Sequence, residues 1–312
     1  MAKRFFAPTQ LASTYSIVAR DASTGEIGVA VQSHWFSVGS VVCWAKPGVG
    51  AVATQSVVEP SYGPLGLNAM RKGQTAQEAL KEALAADEGR ELRQVAMVDA
   101  AGRVAVHTGT RCIAEAGHER GDGFSVQANM MASAAVWPAM ARAYRSTRGD
   151  LAEKLLAALD AGEAAGGDLR GEQSAAILIV GAERATNPWE GLAFDLRVED
   201  HATPLLELRR LVVLQRAYAH MNRGDDFLAQ GRVQEALGEY ETAAGMAPQI
   251  PELPFWHAVT LADLGRMDEA LPIFREVFLR DPNLSVLVQR LPAAGLLRED
   301  SRMMGQILST AQ

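Results

Sequence analysis

The sequence has few cysteines, lacks a long apolar run and shows no recognisable export signal. Cys43 and Cys112 are its two cysteines, too few for a disulfide framework or a cysteine-based zinc site. The longest apolar candidate, Ala175–Val180, is far shorter than the roughly 18 residues that span a bilayer. Residues 8–10 (Pro-Thr-Gln) interrupt any signal-peptide core. We therefore expect a cytoplasmic protein that makes no contact with membranes.

The sequence also lacks an excess of positive charge. Thirty lysines and arginines face 37 aspartates and glutamates, so the net charge is −7. Of these residues, 19 basic and 23 acidic ones occur up to Pro204, which divides the net charge into −4 and −3. A nucleic-acid-binding protein normally concentrates basic residues in one region. Nucleic acid is therefore not expected as a partner.

The chain changes character near Pro204, after which helical patterns follow one another and repeat. Five positions recur 34 residues later: Gly231, Ala236, Tyr240, Ala243 and Pro248 correspond to Gly265, Ala270, Phe274, Val277 and Pro282. This period, with small residues at close helix contacts and an aromatic residue on the second helix, resembles the tetratricopeptide repeat. We therefore predict an all-α domain of tetratricopeptide-like repeats over residues 205–312.

Two repeats are fewer than the three or so that such arrays normally need for stability. We expect the helix Leu205–Tyr218 and the tail Leu284–Leu297 to cap the repeats or to dock on the first domain. Grooves of this kind usually bind peptides or proteins. Self-association or simple packing is an equal alternative.

Residues 14–204 combine hairpins with pairs of helices. The predicted strands are 14–20, 27–33, 38–44, 50–57, 93–98, 103–108, 123–129, 174–180 and 193–198, and the predicted helices are 63–72, 75–86, 132–146 and 151–163. Successive hairpins form antiparallel sheets, and two helix pairs can cover two sheet faces. The order predicts an α+β fold, a four-layer αββα sandwich.

The known cofactor and metal motifs are missing or out of context. Gly48–Ala53 matches the alanine-ended dinucleotide fingerprint, but it leads into a strand instead of opening a helix. The six histidines show no metal-ligand spacing. We expect no cofactor and no metal. His118 lies in a polar, glycine-rich segment, 116–123, which the sequence predicts to be a loop. A Cys112–His118 pair is conceivable there, but a half-buried structural thiol is the favoured interpretation of Cys112.

Many ordered motifs of the first domain resemble one family. They are Thr14–Asp21, Thr24–Val31, Gly48–Gln55, Tyr62-Gly63-Pro64, Val98-Asp99, Thr108-Gly109, Cys112, Gly117-His118, and Gln127 with Asn129. From about Thr14 to Val198 they resemble the "domain of unknown function 1028" family. Members resemble N-terminal-nucleophile (Ntn) hydrolases in fold, which agrees with the predicted sandwich. Some members carry additional C-terminal modules.

The resemblance implies a candidate nucleophile at the start of the first strand, where Thr14 stands. In an Ntn hydrolase this side chain attacks, and the free α-amino group of the same residue, with a pKa near 8, accepts the proton. Residues 1–13 form an N-terminal extension before Thr14, and removal of Met1 would expose Ala2, which has no nucleophilic side chain. The standard mechanism therefore requires cleavage of the Ser13–Thr14 bond.

Other residues are candidates to complete such a site. Ser16 shares a strand face with Thr14 because side chains alternate with a period of two. Gln55 and Asn129 could stabilise an oxyanion. We place Thr14, Ser16, His118 and Asn129 in the catalytic group, and Gln55, Tyr62, Cys112 and Gln127 in the ligand-binding group.

The sequence is compatible with two functions. The first is an Ntn-type amidohydrolase that acts on a small amide or peptide, with a repeat module for protein interaction or self-association. The second is a non-catalytic protein that binds a ligand in the sandwich and recruits a protein partner through the repeats. The 13 residues before Thr14 separate the two, because they block the standard mechanism unless they are removed.

Overall fold

The computed structural model describes residues 11–12, 14–187 and 189–311. Two compact units divide the chain between Val212 and Val213. The division falls inside a helix that begins at Pro204, where the sequence predicts the domain boundary. Of the predicted extension, residues 1–13, only the backbone of Leu11–Ala12 is described, and the Ser13–Thr14 bond lies outside the described residues.

The first unit contains two antiparallel sheets. Its strands are β1 (Leu11–Ala12), β2 (Thr14–Arg20), β3 (Ile27–Ser33), β4 (Cys43–Lys46), β5 (Gly50–Val57), β6 (Arg93–Asp99), β7 (Val104–Thr108), β8 (Gly117–Gly121), β9 (Phe124–Asn129), β10 (Ser174–Val180) and β11 (Leu192–Val198). The first sheet has the order β1-β5-β6-β7, with β4 also paired to β5. The second has the order β11-β10-β3-β2-β9-β8, which places β2 in its interior.

Helices cover the outer face of each sheet. They are α2 (Tyr62–Arg71) and α3 (Ala76–Ala86) on the first sheet, and α4 (Val136–Ser146) and α5 (Leu151–Ala164) on the second. The short helix α1 (Gly39–Val42) lies instead at the inner faces, where Val42 packs among residues of both sheets, and a short 3₁₀ turn spans Arg90–Leu92. Leu67 and Leu80 of α2 and α3 pack on Val52 and Met97 of the first sheet. In the same way α4 and α5 pack on the second sheet around Ile17.

A third core lies between the facing sheets. Val18, Val29 and Val31 of the second sheet meet Ala51 and Val98 of the first, and all five are fully buried. Because successive strand residues point to opposite faces, the central strands serve both this core and a helix-covered face. The layers therefore follow the order helices, sheet, sheet, helices.

The C-terminal unit is helical throughout its described length. Helix α6 (Pro204–Ala229) leads into α7 (Val233–Met246), α8 (Glu252–Asp263), α9 (Met267–Arg280), α10 (Asn283–Val288), a 3₁₀ turn at Pro292–Ala294, and α11 (Ser301–Ser309). Tyr240, Phe255 and Phe274 form its aromatic core and are at most 1% exposed. The turns before α7 and α9 contain Gly231 and Gly265, whose φ values of +73° and +79° favour glycine.

Three local predictions are wrong. Residues 38–44 form the short helix α1 followed by the first half of β4, instead of one strand. The segment 116–123 contains the edge strand β8, where a loop was predicted. The predicted helix Leu205–Tyr218 is not separate, since α6 continues without interruption to Ala229. The sequence has no breaker at Tyr218 that would end it.

The broad class predicted from the sequence is confirmed. The protein is a mixed α+β chain with two antiparallel sheets and a C-terminal helical region. Among the described residues, no helix combines the length and the apolar character that a membrane span requires.

The N-terminus of α3 provides a test of local stability. Thr75 Oγ1 accepts a hydrogen bond from Glu78 N at 3.1 Å, and Glu78 Oε2 accepts one from Thr75 N at 2.8 Å. We expect Thr75→Ala to lower the free energy of unfolding by about 1 kcal/mol, because this capping box is lost. Urea unfolding followed by circular dichroism measures the change. Thr75→Ser retains the oxygen and should stay close to wild type; an equal loss in both variants would contradict the role of the cap.

Candidate functional site

The core between the sheets is polar at one end. We call Thr14, Ser16, Ser33, Gln55, Gln94, Gln127 and Asn129 the inter-sheet polar cluster; each is at most 1% exposed. Strand register brings its members together, since Thr14 lies opposite both Ser33 and Asn129, and Ser16 lies opposite Gln127. Gln55 and Gln94 are paired in the same way on the facing sheet. Buried polar groups need hydrogen-bond partners, and here the two sheets supply them to each other.

Thr14 is held at both its side chain and its carbonyl group. Its Oγ1 donates to Ser33 Oγ at 3.2 Å. Its carbonyl oxygen accepts from Gln55 Nε2 at 3.2 Å and from Asn129 Nδ2 at 3.3 Å. Two amide side chains from different sheets therefore fix the backbone of the candidate nucleophile.

Ser16 lies deeper in the same cluster. Its Oγ donates to Gln55 Oε1 and accepts from Gln127 Nε2, both at 2.6 Å. Ser125 Oγ in turn donates to Gln127 Oε1 at 3.0 Å. Short hydrogen bonds on both sides hold the Ser16 hydroxyl in one orientation, so Ser16 fixes the Gln55 amide that binds the Thr14 carbonyl group.

Gln94 is the central residue that the sequence analysis missed. Its Oε1 accepts from Gln55 Nε2 at 2.7 Å and from Asn129 Nδ2 at 3.0 Å. Its Nε2 lies 2.9 Å from the carbonyl oxygen of Ala128 and 3.1 Å from that of Gly117, so it ties the first sheet to two strands of the second. A lone glutamine within the otherwise apolar segment 94–98 was the available signal.

A chain of hydrogen bonds connects this buried cluster to the surface. Gln94 Nε2 donates to Thr108 Oγ1 at 2.9 Å, and Thr108 Oγ1 lies 2.9 Å from His118 Nδ1. The Thr108 hydroxyl can donate to Nδ1 when the imidazole is neutral. Loss of hydration around the ring, together with the positive charges of Arg120 and His107, lowers the pKa of His118 below its ordinary value of 6.5. The neutral form, in which Nδ1 can accept from Thr108, is therefore favoured.

The backbone beside the cluster adopts unusual conformations. Ser56 follows Gln55 with a φ of +74°, and Met130 follows Asn129 with a φ of +57°. Among the described residues, Ser37 is the one other non-glycine residue with positive φ. Such conformations cost free energy and are concentrated at functional sites. Both amide residues that bind the Thr14 carbonyl are thus followed by a strained backbone position.

Cys112 and Tyr62, two of the predicted ligand-binding residues, are not members of the inter-sheet polar cluster. Cys112 Sγ donates to Arg93 O at 3.3 Å, and burial raises the pKa of its thiol, which disfavours a reactive thiolate. The partners of the two residues of the conceivable Cys112–His118 pair differ, since Cys112 Sγ bonds to the Arg93 carbonyl group and His118 Nδ1 to the Thr108 hydroxyl. Tyr62 lies in the core between α2 and the outer face of the first sheet, where its OH donates to Asp87 Oδ2 at 3.1 Å. The structure thus brings Thr14, Ser16, Gln55, Gln127 and Asn129 into one cluster, connects His118 to it, and leaves Tyr62 outside.

Metal-binding side chains do not converge in the part of the chain that the structure describes. No group of three or more His, Cys, Asp or Glu side chains there could hold a metal ion. The candidate site consists instead of neutral hydroxyl and amide groups, which suit hydrogen bonding to a carbonyl group or its oxyanion.

Comparison with known proteins places the sandwich in a family. Residues 14–208, more than half of the chain, match the family described as "Family of unknown function (DUF1028)". The chain belongs to this family. The family resemblance predicted from the sequence is thereby confirmed.

A solved structure supports the DUF1028 assignment. The crystal structure of protein SPO2555 from Silicibacter pomeroyi, also a DUF1028 protein, is 29% identical in sequence and superposes with a TM-score of 0.58. The match covers 64% of this chain and 88% of that chain. No curated protein matches the chain. The description of the family names no activity.

The central role of Gln94 in the hydrogen-bond network can be tested by shortening its side chain. We expect Gln94→Ala to lower the free energy of unfolding by more than about 2 kcal/mol, because Gln55, Asn129 and two backbone carbonyl groups lose buried partners together. Urea unfolding measures the loss. The control is Gln77→Ala, an exposed glutamine with one hydrogen bond to Val104 O, which should cost less than about 1 kcal/mol. Equal losses would show that the cluster does not depend on Gln94.

The ionisation of His118 can be followed by an NMR pH titration. We expect a pKa below 6.5, and we expect Arg120→Gln to raise it, because removal of a nearby positive charge favours the imidazolium form. Because this pKa is lower in the folded state, His118 contributes stability above pH 6.5 that is lost as the pH falls through its folded pKa. Arg71→Gln, at the far end of the sandwich, should leave the titration unchanged. An unshifted pKa in Arg120→Gln would contradict this explanation.

Proposed function

We propose that the protein is an amide-bond hydrolase of the Ntn type, which acts on a small amide or peptide with Thr14 as nucleophile. The observation that carries this proposal is the convergence of Gln55 and Asn129 on the Thr14 carbonyl group, while the Thr14 hydroxyl is bonded to Ser33. The order of the layers and the interior position of β2, which starts at Thr14, support an Ntn-hydrolase-like fold.

The chemistry begins with cleavage of the Ser13–Thr14 bond, which converts the Thr14 amide nitrogen into a free amine. This amine accepts the proton of the Thr14 hydroxyl as Oγ1 attacks the substrate carbonyl carbon. The proton then passes to the leaving amine, and the acyl group remains on Oγ1 as an ester. Water attacks the ester in the second half-reaction, which releases a carboxylic acid and restores the hydroxyl.

The other cluster residues position this nucleophile. Gln55 and Asn129 hold its backbone, and Ser16 with Gln127 orients the Gln55 amide. His118 is coupled to the same amides through Thr108 and Gln94, so its neutral state helps to keep their orientation. A site fixed before substrate arrives loses little free energy to reorganisation during the reaction.

Access to Thr14 depends on the segment before it. Thr14 is fully buried. The preceding strand β1 pairs with Ser56 and Val57 of β5, the two residues that directly follow Gln55. We propose that this segment acts as a propeptide. Its removal would create the amine and open the polar end of the sandwich in one step.

For the C-terminal region we propose tetratricopeptide-like repeats that bind a peptide or protein, or that mediate self-association. The turns before α7 and α9 have matching hydrogen bonds, from Arg232 N to Phe227 O and from Arg266 N to Leu261 O, both 2.8 Å long. The two donor residues are 34 positions apart in the sequence, and so are the two acceptor residues. A Cβ atom at Gly224 would lie 2.5 Å from the Tyr240 ring, which explains a glycine at that close helix contact.

A second candidate function is ligand or partner binding without catalysis. It is favoured by one observation, the complete burial of a Thr14 whose hydroxyl and carbonyl groups already have partners in the protein. In this case the polar cluster would serve stability, and Thr14→Ala would leave binding intact.

N-terminal sequencing and intact-mass measurement of the purified protein test the hydrolase proposal. We expect a mature chain that begins at Thr14 and that hydrolyses members of a panel of small amides and dipeptides. Thr14→Ala should abolish processing and lower turnover at least about a thousandfold, because the nucleophile is lost. Thr14→Ser should retain both in part, since it keeps a hydroxyl.

Thr242→Ala, an exposed threonine in the helical region, is the matched control and should behave as wild type. A mature protein that keeps the residues before Thr14 would exclude the mechanism. Turnover that survives in Thr14→Ala would exclude Thr14 as the nucleophile, and the absence of both processing and turnover would favour the second candidate.

A further inference from the structure

A groove lined with positive charge lies on the first unit, at the turn between β4 and β5. Its cavity of about 470 Å³ is lined by Lys46 from the hairpin, Arg71 and Lys72 from the end of α2, and Arg184 from the loop before β11. These residues are widely separated in the sequence and are brought together by the fold. The groove therefore concentrates four positive charges in a protein whose net charge is −7.

The charges of this groove are not neutralised by acidic side chains. In the described parts of the chain, no ion pair involves Lys46, Lys72 or Arg184, and the residues that line the cavity include no Asp or Glu. Arg71 donates to the neutral Asn68 Oδ1 at 3.0 Å. Like charges gathered in a concave surface repel one another and attract anions to that surface.

A partly apolar compartment borders this groove. A second cavity of about 340 Å³ shares Lys46 and Arg71 with the first, and Trp44 lines it. The indole Nε1 donates to Val41 O at 3.0 Å, which fixes the ring. The ring packs so closely on α2 that a Cβ atom at Gly63 would lie 2.2 Å from it. An aromatic surface of defined orientation thus borders the cationic one.

The hairpin and the loop that carry these charges are packed directly on each other. Gly48 N donates to Gly181 O at 3.0 Å, and Gly48 has a φ of +62°. A Cβ atom at Gly48 would lie 2.5 Å from Arg184 N. This close backbone approach holds Arg184 and Lys46 on the same cavity before any ligand arrives, which lowers the entropic cost of binding.

From these observations we propose that the groove binds a small organic polyanion, whose negative groups pair with the four cations and whose apolar part contacts Trp44. The cavity volume falls in the range typical of small-molecule sites. The groove is separate from the inter-sheet polar cluster, because Gly50 at the hairpin and Gln55 in the cluster are five residues apart on β5, about 17 Å along the strand. The proposal does not depend on hydrolase activity at Thr14.

Isothermal titration calorimetry at low salt tests the proposal with three probes: pyrophosphate, ADP and citrate. We expect at least one of them to bind the full-length protein, more weakly as salt is added, because screening weakens exposed charge interactions. The double variant Lys72→Ala/Arg184→Ala should weaken that binding at least about tenfold, since hydrogen bonds to charged groups are lost. All four cationic side chains are exposed, so their replacement should leave the fold intact.

Lys81→Ala, an exposed lysine on α3 outside the groove, is the matched control and should bind as wild type does. Binding of pyrophosphate or ADP without binding of citrate would show that the groove recognises phosphate groups. Binding of citrate alone would show that it recognises carboxylate groups. Either result supports the site. ADP that binds more tightly than pyrophosphate, with the difference reduced in Trp44→Phe, supports the partly apolar compartment. Failure of all three probes to bind, or equal affinity in the double variant and the control, would overturn the proposal.

Discussion

Hydrogen bonding between buried amide side chains is the constraint on which the sandwich depends. Where two sheets pack face to face, an unpaired amide would cost the free energy of its lost hydration. Gln55 and Gln94 of the first sheet meet this requirement by bonding to each other and to backbone carbonyl groups of the second. The polar end of the sandwich is therefore joined by directional contacts, whereas the other end is held by non-directional packing of valines and alanines.

The same contacts define the surroundings of Thr14. Its carbonyl group is bound from both sheets, and the two residues after the binding amides, Ser56 and Met130, have left-handed backbone conformations. A cluster that served packing alone could use apolar side chains without this strain. The combination of satisfied amides, strained backbone and a threonine at a strand start is what makes this end of the molecule the candidate for chemistry.

The charged residues are arranged differently from the residues of the buried cluster. The acidic excess is spread evenly along the chain, at −4 and −3 on the two sides of Pro204, yet the groove beside Trp44 is cationic. A count of charges along the sequence cannot show this, because a local potential depends on which side chains the fold brings together and on which acids pair elsewhere. The protein thus presents two chemically distinct regions on one sandwich, one neutral and buried, the other charged and open.

Periodicity and turn residues by themselves determined most of the element order, the two antiparallel sheets and the change to helices near Pro204, because these depend on local pattern. The ordered motifs of the first domain carried the resemblance to the family. The shared strand face of Thr14 and Ser16 also followed from the period of two. Only the tertiary structure decided the hydrogen-bond partners of Gln94, the position of Arg184 beside Lys46, and the edge pairing of the strand that contains His118. These features arise from strand register and from packing between distant segments. Sequence spacing predicts the sheet face on which a side chain lies, but it does not predict which residue of the opposing sheet that side chain meets.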